Sequence, residues 1–135
     1  MVAEQKTYRT ITLTGRPPVR IRQADWPLIA RAGNARWDGQ YRFQATRITD
    51  VAIRVRRHAD GRMVVYGIYD YETKWQGERD VRIRAGYLLP AGDDPVAAIQ
   101  AVGADINERL GGEDEELVRG AVDRCVAALP AEEIA

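Results

Sequence analysis

Apolar residues change their spacing once along this chain, near residue 90, and that switch constrains the fold more than any other feature. Before it they alternate with polar residues, the period of a half-buried strand. After it they recur every third or fourth residue, the period of a helix. Ile53 and Val55 alternate with Arg54 and Arg56, and Val81, Ile83, Ala85 and Tyr87 alternate with Arg82 and Arg84. Tyr41, Phe43 and Ala45 do the same with Arg42, Gln44 and Thr46. Ile99, Val102, Ile106 and Leu110 then keep helical spacing, as do Val118, Ala121, Val122, Cys125 and Leu129. Strands first and helices second predict the α+β class.

Turn-forming residues divide the chain further. Lys6–Thr14 reads as a strand, broken by Gly15-Arg16-Pro17-Pro18, with Val19–Arg22 continuing extended. Asp25 reads as an N-cap with Pro27 in the first turn of a short helix, whose buried side is Leu28, Ile29 and Ala32 and whose end is Gly33-Asn34. Asp60-Gly61 is a hairpin signal between two alternating runs. Asp93-Asp94-Pro95 starts a helix that Gly111-Gly112 ends. Glu113, Asp114, Glu115 and Glu116 then place four acids in the first turn of a second helix, where the macrodipole favours them, and Pro130 stops it. The 135 residues suffice for one core. The expectation is a single α+β domain over 1–135. It holds an antiparallel meander of four to five strands, a short N-terminal helix, and helices Pro95–Leu110 and Glu113–Leu129 packed on one sheet face.

A two-residue Asp60-Gly61 loop would set Val55 opposite Tyr66, Ile53 opposite Ile68 and Arg57 opposite Val64. That face would lie under the helices. The other face would then carry Arg54, Arg56, Arg82 and Arg84 with Tyr69 and Tyr71. Such a surface could bind phosphate and stack bases, or could be a solvated face where arginine stems cover tyrosine rings.

Catalytic chemistry has little to work with. His58 is the only histidine, which removes multi-histidine metal sites. Cys125 lies on a helix's apolar stripe and reads as core. No glycine-rich phosphate loop follows a strand. Asp70 and Glu72 share a strand face and could in principle be paired carboxylates, but two acids near a loop are commonplace, and His58 beside Asp60 reads as turn chemistry. The expectation is therefore no enzyme, no metal and no cofactor.

Trp75 stands amid polar residues, Asp70 to Glu78, and Trp37 within Asn34-Ala35-Arg36-Trp37-Asp38-Gly39. Tryptophan at a loop tip either folds back on the protein or meets a partner, and it is enriched at interface hot spots. Charge is also uneven. Residues 1–88 hold 17 basic and 9 acidic side chains, whereas residues 89–135 hold 3 basic and 11 acidic, so the formal net charge of zero hides a dipole. Trp75, Trp37 and the acids Glu113, Asp114, Glu115 and Glu116 are the candidate partner-binding residues. With one cysteine, no apolar run long enough to span a membrane and a polar N-terminus, the expected location is cytoplasmic.

The segments Thr10–Ile21, Trp26-Pro27-Leu28-Ile29-Ala30, His58-Ala59-Asp60-Gly61-Arg62 and Trp75-Gln76-Gly77-Glu78 resemble small proteins carried by phages, plasmids and integrative elements of Pseudomonas and related bacteria. The resemblance covers most of the chain, carries no activity of its own and gives no residue a role. Proteins of that cargo class include anti-CRISPR and other anti-defence factors. The resemblance thus implies a protein that inhibits a host nucleic-acid-targeting complex by direct binding. The acidic helices would occupy a basic groove on that complex. The alternative is direct nucleic-acid binding through the Arg/Tyr sheet face.

Overall fold

A computed structural model describes residues 7–41 and 44–131, with side chains throughout except at 40, 41, 44 and 45. Six strands and two helices follow in order: β1 (Tyr8–Leu13), β2 (Arg16–Arg22), a 3-10 turn (Gln23–Asp25), β3 (Leu28–Tyr41), β4 (Gln44–Arg57), β5 (Met63–Thr73), β6 (Val81–Leu89), α1 (Pro95–Leu110) and α2 (Glu115–Ala128). The strands form two antiparallel sheets, the hairpin β1-β2 and the meander β3-β4-β5-β6. The α+β class and the presence of two C-terminal helices agree with expectation, and the second helix starts two residues later than expected, so that Glu113 and Asp114 precede its first turn. The strand expected around Tyr41, Phe43 and Ala45 is instead the junction of β3 and β4, and residue 43 lies outside the described residues.

The N-terminal helix does not form. Asp25 belongs to the 3-10 turn, and Leu28 begins a 14-residue strand. Ala30 packs into the core while Arg31 and Gly33 are exposed, which is strand alternation. An isolated helix of two turns is marginal in water, whereas Leu28–Tyr41 gains a ladder with β4 along its whole length.

The β4–β5 register also differs from expectation. Val55 faces Val65, Ile53 faces Gly67 and Arg57 faces Met63. The loop holds three residues, Ala59-Asp60-Gly61. His58 N–H bonds to the Arg62 carbonyl at 2.8 Å, Gly61 N–H bonds back to the His58 carbonyl at 2.9 Å, and Gly61 takes a φ of +94°. Only a residue tolerant of the left-handed region closes this loop easily. One residue of slip turns each side chain of β5 to the other face. Val65 and Tyr69 therefore lie beneath the helices with Ile53 and Val55, and Tyr66 and Ile68 lie on the opposite face.

The main core joins Val51, Ile53, Val55, Val65, Tyr69, Ile83 and Ala85 of the sheet to Ile99, Val102 and Ile106 of α1 and Val118, Ala121 and Cys125 of α2. Asp94 caps α1 by accepting from Val96 N–H at 2.9 Å, and Gly111 ends it in the left-handed conformation. The opposite face is half covered by the β1-β2 hairpin, where Ile11, Leu13, Ile21 and Trp26 enclose Val64. Thr14 fastens this hairpin: its N–H donates to the Gly86 carbonyl at 2.8 Å, and its hydroxyl donates to Asp105 of α1 at 3.0 Å. The Tyr87 hydroxyl donates to the same carboxylate. The protein thus has three layers: helices, sheet and hairpin.

Charge follows these layers. The hairpin Tyr8–Arg22 contains four arginines and no acid, whereas residues 93–128 contain nine acids and three arginines. The dipole expected from the sequence is directed through the sheet.

Gly86 sets how closely the hairpin can approach. A Cβ there would lie 2.4 Å from the Thr12 carbonyl oxygen. Gly86→Ala should cost about 1–3 kcal/mol, the usual penalty for overpacking. Urea unfolding measures that loss, and hydrogen exchange should show it concentrated in the β1 and β2 amides. Stability equal to the parent would mean that the crossing has slack.

Candidate functional site

Strands β3, β4 and β5 run beyond the helices and leave a cleft at one end of the sheet. Arg36 and Asp38 of β3, Arg47 of β4 and Tyr69 and Tyr71 of β5 share its floor, because alternate residues of paired strands point to one side. The α1–α2 turn closes one wall with Leu110, Glu113 and Asp114, and the β5–β6 loop closes the other with Glu78 and Arg79.

Two ion clusters organise the cleft. Asp114 is buried, accepts from the Tyr69 hydroxyl at 2.5 Å and pairs with Arg36 at 2.8 Å. Arg36 also pairs with Asp38 at 2.6 Å. Burial, with the Asp114 carboxylate beside it, pushes the Tyr69 phenol above its ordinary range. In the second cluster Glu78 accepts from Arg47 Nη2 at 2.5 Å, from the Tyr71 hydroxyl at 2.7 Å and from the Thr73 hydroxyl at 2.8 Å. The Arg47 guanidinium, then those two hydroxyls, pull the Glu78 carboxyl down to about 2. Arg47 also lies over the Trp75 ring, 5.7 Å from its centroid, and Trp75 N–H donates to the Thr73 hydroxyl at 3.1 Å. The loop that carries Trp75 is thus held by side chains of β4 and β5.

The candidate residues fall into three groups. Trp75 is 48% exposed on its loop and Trp37 is 68% exposed on β3. They flank the same sheet end on opposite sides, since Trp37 faces Ile48 and Arg47 faces Thr73 in adjacent rows. Glu113 lines the cleft, and Glu115 and Glu116 are exposed in the first turn of α2, where Glu115 pairs with Arg119 at 3.3 Å. Asp114 departs from its neighbours: it is an internal ion-pair partner rather than a solvent-facing charge.

The Arg/Tyr face is corrected most. Tyr69 and Tyr71 lie on the helix side, because the β5 register is one residue from that of a two-residue turn. Arg56 is buried and donates to the Tyr66 hydroxyl at 2.9 Å, the Trp26 carbonyl at 3.1 Å and Gln23 at 3.4 Å. Arg82 pairs with Asp70 at 3.4 Å. Arg54 and Arg84 keep side chains with no hydrogen-bond or ion-pair partner among the described residues. Cys125 is core, and burial raises its thiol to about 11. Among the described residues no group of three or more His, Cys, Asp or Glu could hold a metal.

Arg36, Asp38, Arg47 and Glu78 were not distinguished by sequence. Arg36 and Asp38 share a strand face, but only the register brings Arg47 beside them and the loop brings Glu78 over. The cleft's cations are largely matched by carboxylates, and its rim carries exposed Trp75 and Val81. No protein-family model, curated protein or solved structure matches the chain.

The loop anchor is pH-dependent. Because folding depresses the Glu78 carboxyl, its contribution is complete above the ordinary carboxylate range and is lost as pH falls through about 2. The Trp75 indole and Thr73 amide resonances should shift with a midpoint near that value. Glu78→Gln should abolish the transition, and persistence of the transition in that variant would assign it to another group.

Proposed function

We propose that this chain acts by binding another protein through the sheet end that bears Trp37 and Trp75. The observation that carries this reading is that the two exposed indoles stand on either side of one sheet end, with Trp75 fixed by Arg47 and Thr73. Interface hot spots favour large aromatic anchors, and an anchor already ordered loses less entropy on binding.

The partner we propose is a host nucleic-acid-targeting complex in the bacterial cytoplasm. The protein, carried on a mobile element, would inhibit it by occupancy rather than by turnover. The acidic helical layer supports this reading, since Glu108, Glu113, Glu115 and Glu116 are exposed on it and would meet a basic groove. Asp105 and Asp114 are engaged internally and take no part.

Affinity capture from a lysate of bacteria that carry defence systems, repeated after nuclease treatment, tests the proposal. A protein partner should be retained through nuclease treatment. Trp75→Ala should weaken its binding by about 2 kcal/mol or more. Charge reversal of Glu115 and Glu116 should mainly slow association, since exposed rim charges steer encounter. Trp75→Ala should melt like the parent, and the charge reversal should stay folded at a cost of about 0.3–1 kcal/mol per charge through the helix macrodipole. Undiminished capture by a Trp37→Ala/Trp75→Ala double variant would refute the reading.

A further inference from the structure

The groove between β1 and the uncovered part of the sheet is short of negative charge. Its floor is Tyr66 and Ile68 of β5, with Arg54 of β4 on one side, Arg84 of β6 on the other, and Arg9 of β1 above. Arg84 faces Ile68 across one ladder, and Arg54 faces Tyr66 across the other. The two arginines are thus two strand spacings apart across the sheet and two residues apart along it, about 12 Å between their backbones, which lets both long side chains reach one ligand between them, over Tyr66 and Ile68. Arg9 donates to the Tyr66 hydroxyl at 3.0 Å from above, and buried Arg56 donates to the same oxygen at 2.9 Å.

None of Arg9, Arg54, Arg56 and Arg84 forms a salt bridge among the described residues. Among the described residues Arg56 donates to neutral acceptors alone, the Tyr66 hydroxyl, the Trp26 carbonyl and the Gln23 amide. A buried guanidinium without a carboxylate is costly. Arg31 of β3 also stands directly opposite Arg54, a like-charge pair that disfavours the sheet. Among the described residues of the meander, Asp50 and Asp70 on this face oppose each other one row beyond Ile68, and Arg82 holds Asp70.

From this geometry we infer that the groove binds a phosphoryl group, with Arg54 and Arg84 as its direct ligands and Arg9 closing it from above. A guanidinium presents a planar fork of donors that matches phosphate oxygens. The multiple charge of a phosphoryl group also suits several cations better than a single carboxylate does. The Ala52 and Ile68 side chains give the floor an apolar strip beside the cations. The inference is independent of the protein partner proposed above, because the groove lies under the hairpin and the indoles flank the far end of the sheet.

The test uses the intact protein at low salt, with pyrophosphate and a series of single-stranded oligothymidylates as probes. Pyrophosphate should shift the amide resonances of Tyr66, Ile68 and Ala85. Arg54→Gln and Arg84→Gln should each weaken binding about tenfold or more, the loss expected for one charged hydrogen-bonding group. Arg119→Gln, on the helical layer, should bind as the parent does. Affinity that rises with oligonucleotide length and keeps the same dependence on Arg54 and Arg84 identifies the phosphate as nucleic-acid backbone. Pyrophosphate binding as tight as any oligonucleotide identifies a free phosphoryl ligand. No resonance shift at millimolar pyrophosphate, binding that survives both groove substitutions, or an equal loss in Arg119→Gln would overturn the inference. Thermal melts confirm that the variants fold.

Discussion

The three-residue turn at Ala59-Asp60-Gly61 fixes what the rest of the molecule can be. Side chains of a strand alternate between faces, so the turn decides which half of β5 the helices cover. With Gly61 at positive φ, Tyr69 reaches Asp114 below the sheet and Tyr66 reaches Arg9 and Arg56 above it. A slip of one position would turn Tyr69 away from Asp114 and Tyr66 away from Arg9 and Arg56. It would leave Asp114 buried with Arg36 alone. The two ends of the β5 hydrogen-bond system are thus set by a local conformational preference far from either.

Asp114 does for the helical layer what Thr14 does for the hairpin. Each is a short polar side chain at a chain reversal, and each joins elements that hydrophobic packing alone would leave free to slide. Asp114 ties the start of α2 to β3 through Arg36 and to β5 through Tyr69. Thr14 ties the hairpin to β6 through Gly86 and to α1 through Asp105. Apolar contact supplies most of the cohesion, but it is non-directional. These few directed bonds give the layers their lateral positions, and so place the cleft at one end of the sheet and the groove near the other.

Some of this was legible in the sequence. The start and end of α1 are written locally by Asp94, Pro95 and Gly111, and both were read correctly. Strand alternation in Ile53–Val55 and Val81–Tyr87 marked the sheet. The short helix at Asp25 was misread because a cap residue followed by proline is a local signal, and its competitor, the ladder with β4, is not local. The register was misread because Asp-Gly fits loops of two and of three residues. Exposure of Trp37 and Trp75 could be anticipated from their polar surroundings. The burial of Asp114 could not, since it stands in a run of four acids that look alike until Tyr69 and Arg36 select one. The face expected to carry four arginines and two tyrosines separated for the same reason. Arg56 and Arg82 acquired internal partners, and the tyrosines turned over with the register.

The segregation of arginine into the hairpin and of acid into the helices has a consequence that acts before any contact is made. A neutral molecule with opposite charges on opposite layers feels little net pull from a distant charged surface, but it does feel a torque. Within about a Debye length, 8–10 Å at ordinary ionic strength, that torque turns it. A polyanion meets the hairpin first, and a polycation meets the helices first. The sheet between them keeps the two layers apart, so which face lands is decided by the sign of the surface it approaches.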